Sequence, residues 1–353
     1  MSENTKKRRP VKRWIVLALV AVGIYAAFIG PSVLKPISPV VVLPAEPTGI
    51  NILGFEITNT ILATLLADLV LILVGWGAYR FAKKGSLVPK GAYNAFEAIV
   101  EFLWNSVEGA AGKWAKRIFP VPATIFLLVF TANMVKLIPG FESIGYLKQV
   151  HEGTGYAPVE LFSIGKLAVY SIDKGLPVDV AAAEAHAEET TTAVESEAHG
   201  EESSELCTAC EVVPFLRGSA TDLNFPFALA VIAVVMTQVY GAWALGPGYF
   251  SKFFPVKQLT SGGPFGMINF VVGLLELVLE FAKILSFGFR LFGNIFAGAL
   301  LLSIVGALTA VVVPAGLYLF ELFFGIIQAY VFFLLATMFI SGATVSHHAE
   351  EHH

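Results

Sequence analysis

Long apolar runs separated by short charged segments dominate the chain. Trp14 to Gly30 carries no charge and follows the basic cluster Lys6, Lys7, Arg8, Arg9, Lys12 and Arg13. Ile57 to Tyr79 is apolar apart from Thr58, Asn59, Thr60, Thr64 and Asp68. Thr124 to Ile138 contains Asn133 and Lys136, and Phe225 to Leu245 is free of charge. Met267 to Val313 is far longer than the roughly 20 residues that cross a bilayer upright. Pro314 then interrupts, and Leu317 to Ile340 closes the set. Backbone in hydrocarbon must satisfy its own hydrogen bonds, so each run predicts a helix. The runs are too long and too rich in Leu, Val, Ile and Phe for barrel strands.

Composition narrows the class. Of 353 residues, 56% are hydrophobic and 14% are charged, against about 25% charged in an average soluble domain. A water-soluble chain of this size cannot hide that much apolar surface. An ordinary soluble enzyme, a disordered protein and a nucleic-acid binder are therefore excluded. The net charge of −4 is too small to call for a polyelectrolyte partner. Two cysteines rule out a disulfide scaffold. The expected class is an all-α polytopic membrane protein with about five to six membrane helices.

Lys and Arg in the short loops set the orientation. The basic tail 1–13 belongs in the cytoplasm. The span 14–30 exits, and 31–56 lies outside with Lys35 as its one basic residue. Residues 57–138 form the first two core spans. Between them, Arg80, Lys83, Lys84, Lys90, Lys113, Lys116 and Arg117 stay inside. Residues 139–224 form an external loop. The remaining spans occupy 225–346, with Lys252 and Lys257 inside, and a His/Glu tail fills 347–353. Both termini are then cytoplasmic. The span 14–30 reads as an anchor rather than a cleaved signal, because Tyr25-Ala26-Ala27 is a poor cleavage site.

Segments outside the spans say less. In 88–117, Phe96, Ile99, Val100, Leu103, Trp104 and Val107 recur near helical spacing, with Glu97, Glu101, Asn105 and Glu108 on other faces. This predicts an amphipathic helix at the cytoplasmic interface or against other protein. Residues 181–205 are an acidic, Ala/Thr/Ser-rich insertion that reads as solvated, His186 and His199 included. Cys207-Thr208-Ala209-Cys210 is a lone C-x-x-C in an oxidising compartment, which reads as a local disulfide or two ordinary thiols. No cofactor or metal site is expected, and the tail His347 to His353 reads as solvated.

The informative residues are ionisable groups inside spans. Lys283 and Arg290 are the exceptions to a rule that keeps cations in loops, tails or span ends. An Arg at mid-bilayer costs on the order of 3 kcal/mol or more, and it cannot discard its proton. Glu276, Glu280, Lys283, Arg290 and Asn294 follow one another at offsets of 4, 3, 7 and 4, so they run along one side of a helix with Ser286 close by. Gly288, Gly293 and Gly298 thin the helix and would let another helix approach. Glu321 and Gln328 share a face of the last span, with Gly325 between them. The simplest arrangement sets Gln328 against the Arg290 region and Glu321 in a wet cavity. Glu276 and Glu280 with Lys283 also suit internal ion pairing. Arg290 has no acid at i±3 or i±4, so its counter-charge comes from elsewhere.

Ser286-Phe287-Gly288-Phe289-Arg290-Leu291-Phe292-Gly293-Asn294-Ile295-Phe296-Ala297-Gly298 resembles the S-x-x-x-R-L-F-x-N-x-x-A-G signature of subunit a of the rotary F-type ATP synthase. Val88-Pro89-Lys90-Gly91, Asn133 with Pro139, Thr221-Asp222-Leu223-Asn224 and Gln328-Ala329 fit the same family in order. The likeness covers roughly Asn51 to the C-terminus.

The resemblance implies two long tilted helices packed against a rotating c-ring. It implies two half-channels, a peripheral stalk (subunit b), and a soluble sector that does the ATP chemistry. The chain itself would be no enzyme, and would sit in a bacterial plasma membrane. Arg290 would face the ring carboxylate. Glu321, Asn294 and Gln328 would line the outer path, with Asp222 and Asn133 nearer its mouth. Glu276 and Ser286 would line the inner path, with Glu280 and Lys283 beside them. The chain departs from the family at Ala299, where Glu or His is common, and at Lys136, where some members have Asp. Na⁺ as coupling ion and a secondary transporter are the competing readings. A transporter predicts paired internal repeats, which the sequence lacks.

Overall fold

A computed structural model of the chain describes residues 11–28, 45–52, 54–83, 91–138, 140–142, 144–150, 154–164, 167–179, 207, 209–253, 263–309 and 312–345. The acidic insertion 181–205, the basic residues of the tail before Val11 and the terminal His/Glu segment lie outside these residues. So do Val88, Pro89 and Lys90 of the family likeness.

Eight α-helices and six strands are described. They are α1 (Val11–Phe28), β1 (Pro47–Ile52), β2 (Phe55–Thr58), α2 (Asn59–Lys83), α3 (Ala92–Ala111), α4 (Ala115–Ile118) and α5 (Pro120–Lys136). Then follow β3 (Gly145–Gln149), β4 (Thr154–Ile164), β5 (Leu167–Asp179), β6 (Cys210–Pro214), α6 (Asn224–Leu245), α7 (Gly263–Thr309) and α8 (Val312–Ala343). Three stretches, Asn59–Phe81, Asn224–Leu245 and Ala315–Ala343, are long and apolar enough to cross a membrane. The pair Tyr93–Ile118 and Pro120–Lys136, bent by 97°, offers a fourth. The chain is an integral membrane protein. Among the described residues, three to four stretches are thus long and apolar enough to span, where the sequence suggests five to six.

The residues group into two compact units. One comprises Leu43–Ile138, Arg217–Ala297 and Leu322–His353. Its core gathers Leu103 and Val107 of α3, Ile118, Ile125 and Val129, and Ala230 and Ala233 of α6. Phe287, Leu291 and Ile295 of α7 and Phe332, Phe333, Ala336 and Ile340 of α8 complete it. The amphipathic pattern of α3 is thus used against protein, and its interfacial placement remains a proposal. Asn59, Ala63 and Ala67 are buried at four-residue intervals, giving α2 a small-residue face for α5. Ile61, Leu65, Leu69 and Ile72 stay exposed on the other side, as lipid contact requires. Arg117 lies 5.1 Å from the Trp114 ring and 5.0 Å from the Trp243 ring. The Tyr240 hydroxyl donates to the Arg117 carbonyl at 2.7 Å.

The other unit comprises Met1–Val42, Pro139–Leu216 and Gly298–Glu321. It adds strands to a chain that is otherwise mostly helical. An antiparallel sheet of order β3-β6-β4-β5 fills the loop between α5 and α6, and Tyr156 pairs with Cys210 across it. Tyr156, Ile172 and Cys210 form its small core, and Cys207 and Cys210 are joined in a disulfide.

The long run is a single helix: α7 passes through Gly298 and is 47 residues long, about 70 Å at 1.5 Å per residue. Pro314 lies inside the first turn of α8, where a missing N–H costs nothing because those groups have no intrahelical partner.

Candidate functional site

The charged stripe of α7 begins with an ion-pair ladder. Lys283 Nζ lies 2.7 Å from Glu280 Oε1, one of the pairings that the spacing suggested. Glu276 pairs instead with Lys252, at 3.3 Å, and Lys252 also stands 3.8 Å from Glu280. Lys252 ends the 3₁₀ segment Pro247–Lys252 that follows α6. Burial opposes its charge, but the Tyr249 hydroxyl and the Glu276 carboxylate outweigh that and hold its pKa above the ordinary lysine value. Burial pushes the Tyr249 phenol up. Two ammonium groups thus face two carboxylates.

Further along α7, Arg290 donates to Ser286 Oγ at 3.4 Å, one turn back. No carboxylate pairs with it among the described residues. It lies 27 residues from the start of α7 and 19 from its end, about 40 and 29 Å along the axis. Phe287, Leu291 and Ile295 turn into the protein, with Phe287 4.8 Å from the Phe332 ring. Gly288 meets α6, where an added Cβ would come within 2.9 Å of the Phe227 ring. Arg290 and Leu285 are exposed among the described residues, the Phe289 ring lies 5.1 Å from that of Phe227 on α6, and no described atom lies within 4 Å of where a Cβ on Gly293 would stand. A cavity of about 300 Å³ is lined by Lys283, Ser286 and Arg290, with apolar walls that include Phe287, Leu335 and Phe339.

Beyond Arg290 the polar contacts join helices. Asn294 Nδ2 donates to Gln328 Oε1 at 3.2 Å, which brings Gln328 to the Arg290 region. Gln328 Nε2 is buried without a hydrogen-bond partner among the described residues. Asn133 Nδ2 donates to the Gly325 carbonyl at 3.2 Å. Asp222 accepts from Thr60 Oγ1 at 3.2 Å and from the Asn224 backbone at 3.3 Å, at the start of α6. Lys136 is buried at the end of α5. In the sheet-bearing unit, Glu321 Oε1 lies 3.8 Å from where a Cβ on Gly298 would stand.

Sequence reasoning missed Lys252 and Thr60 as partners of these carboxylates. Lys252 read only as a positive-inside flank. Its one further mark is an aromatic setting of Tyr249, Phe250, Phe253 and Phe254. Thr60 had no signal beyond being polar within a span.

The chain matches a family model described as ATP synthase A chain over residues 61–341. A protein named ATP synthase subunit a, sodium ion specific, from Propionigenium modestum is 27% identical over 297 residues, which are 83% of this chain and 76% of that one. ATP synthase subunit a of Mycobacterium bovis is 28% identical over 302 residues, 84% of this chain and 90% of the relative. The subunit a of Sulfurihydrogenibium is 24% identical and matches 97% of its own length. With the Arg290 segment, Asn294 and Gln328 all inside the matched range, the chain belongs to the ATP synthase A chain family.

Proposed function

We propose that this chain is the ion-conducting stator subunit a of an F-type ATP synthase. It would pass protons through two half-channels to and from a rotating c-ring, so that the gradient drives ATP synthesis on the soluble sector. The carrying observation is Arg290: a permanent cation deep within a long apolar helix, exposed and with no carboxylate of its own among the described residues. In a bilayer that cation requires a partner supplying an anion. A ring of subunits with one carboxylate each supplies it repeatedly.

The physics suits the task. A fixed positive charge favours the ionised form of an approaching carboxylate. The ring group therefore gives up its proton before passing Arg290. The same charge repels a proton attempting to cross directly from one half-channel to the other. On the inner side the cavity bordered by Lys283, Ser286 and Arg290 supports an aqueous path, with Glu276 and Glu280 at its start. On the outer side the reading assigns Asn294 and Gln328, Glu321 beside Gly298, and Asp222 and Asn133 nearer the mouth. The chain then carries no chemistry of its own. It would bind the peripheral stalk and the ring, and would sit in a bacterial plasma membrane with both termini inside.

One relative bears the words sodium ion specific in its name, so Na⁺ is the second reading. The architecture is the same, because the ring carboxylate site selects the ion. Purification in mild detergent tests the proposal: the c-ring and peripheral stalk are expected to accompany the chain. ATP-driven pumping by the reconstituted complex should be abolished by a protonophore. Isolation of a stable lone chain that transports solute without a ring would sink it, and pumping that needs Na⁺ would favour the second reading.

A further inference from the structure

Lys252 belongs to none of the motifs that carry the family likeness. Its seat is nevertheless built. Tyr249 is 4% exposed, and its hydroxyl donates to Gln238 Oε1 at 2.9 Å. Its ring lies so close to Gly241 that a Cβ there has no room. The Lys252 ammonium rests 4.2 Å from the Tyr249 ring and 4.5 Å from that of Phe253, as cation–π attraction favours. From this seat it reaches Glu276 and Glu280. Those two carboxylates stand one turn apart on α7, an arrangement in which like charges repel. Lys252 answers both, and Lys283 adds a second cation at Glu280.

Exposure varies along the ladder. The side chains of Glu276, Lys252, Glu280 and Lys283 are 32%, 18%, 9% and 27% exposed. It is therefore most enclosed at Glu280, with Glu276 more open on one side, and it reaches Lys283, which borders the Arg290 cavity. We propose that Lys252 is a positioning residue of the inner ion path. It holds the Glu276 carboxylate at the mouth and the Glu280 carboxylate behind it. An arriving cation then meets two oxygens in fixed places rather than two mobile, mutually repelling side chains. Because its anchor lies after α6 and its targets on α7, it also fixes the spacing of these helices at the mouth. This inference rests on the reading of Glu276 and Ser286 as the inner path.

The test uses the complete membrane sector in vesicles, with passive proton flux driven by a potassium diffusion potential. Lys252→Met keeps the stem and loses the charge; it should slow flux about tenfold. Lys252→Gln repeats the measurement, so that poor assembly of one variant does not pass for lost flux. Lys252→Arg should restore flux to near the original rate, and Lys252→Met should add little to Glu276→Gln. Original flux in Lys252→Met, or equal slowing in Lys252→Met and Lys252→Arg, overturns the inference. So does a double variant whose losses multiply. If Glu276→Gln is slow while Lys252→Met is normal, the inference alone fails. If Glu276→Gln conducts normally, the inner-path reading falls with it.

Discussion

The side-chain amide of Asn294 donates to that of Gln328 across 3.2 Å, one turn beyond Arg290. The bond ties α7 to α8 beside Arg290, which no carboxylate neutralises among the described residues. Gln328→Leu removes the acceptor and leaves the Asn294 amide unsatisfied. A loss of about 0.5–2 kcal/mol is expected, the range of interhelical hydrogen bonds in membranes. It should be read as a lower thermal midpoint of the purified complex. An unchanged midpoint with unchanged flux would mean that the contact carries no weight.

Arg290→Ala should abolish ATP-driven proton pumping while the soluble sector keeps its ATPase activity. The reason is the loss of the one fixed charge that makes a ring carboxylate release its proton. Pumping at the original rate would overturn the proposed function.

Glu321→Gln keeps the shape of the side chain and removes its ability to take a proton. Beside it the chain has Gly298 and, next in sequence, Ala299, which carries no proton. With no second titratable group at that position, the loss should be severe, on the order of a hundredfold in passive proton flux. A rate within twofold of the original would remove Glu321 from the path.

The ionisable stripe of α7 was legible because helical periodicity alone brings Glu276 to Asn294 onto one side. The nearness of Gln328 to that stripe followed from its need for a partner in hydrocarbon. The sheet was not legible. β6 pairs with β3 and β4, from which residues 150–209 and 165–209 separate it, and pairing across such gaps leaves no local periodic trace. Strand preference also depends on neighbours more than on the strand itself. The length of the Met267 to Val313 run already suited one long helix, since a helix-interior glycine such as Gly298 costs only about 1 kcal/mol. Lys252 was hidden because its targets lie on another element, beyond residues 254–262.

Gly241→Ala tests the seat beneath Lys252 from a distance. The new Cβ would collide with the Tyr249 ring, so the 3₁₀ segment must shift. A destabilisation of about 1–3 kcal/mol is expected, as for overpacking elsewhere. Differential scanning fluorimetry of the complex would measure it. A neutral result would show that Tyr249 moves aside freely.

The Cys207–Cys210 disulfide makes the orientation testable. With the sheet on the oxidising side, a membrane-impermeant maleimide added to intact cells should label neither cysteine until an impermeant reductant is added, and then both. Labelling that requires opened cells would reverse the assigned sidedness.

The exposed Arg290 of α7 also bears on biogenesis. On the proposed function, a copy inserted before a c-ring is present would expose the Arg290 guanidinium to acyl chains. Such an orphan is poorly accommodated and is a natural substrate for membrane proteases and insertion chaperones. Its lifetime in the cell should therefore track the supply of ring subunits, which makes assembly order a matter of protein survival as well as of geometry.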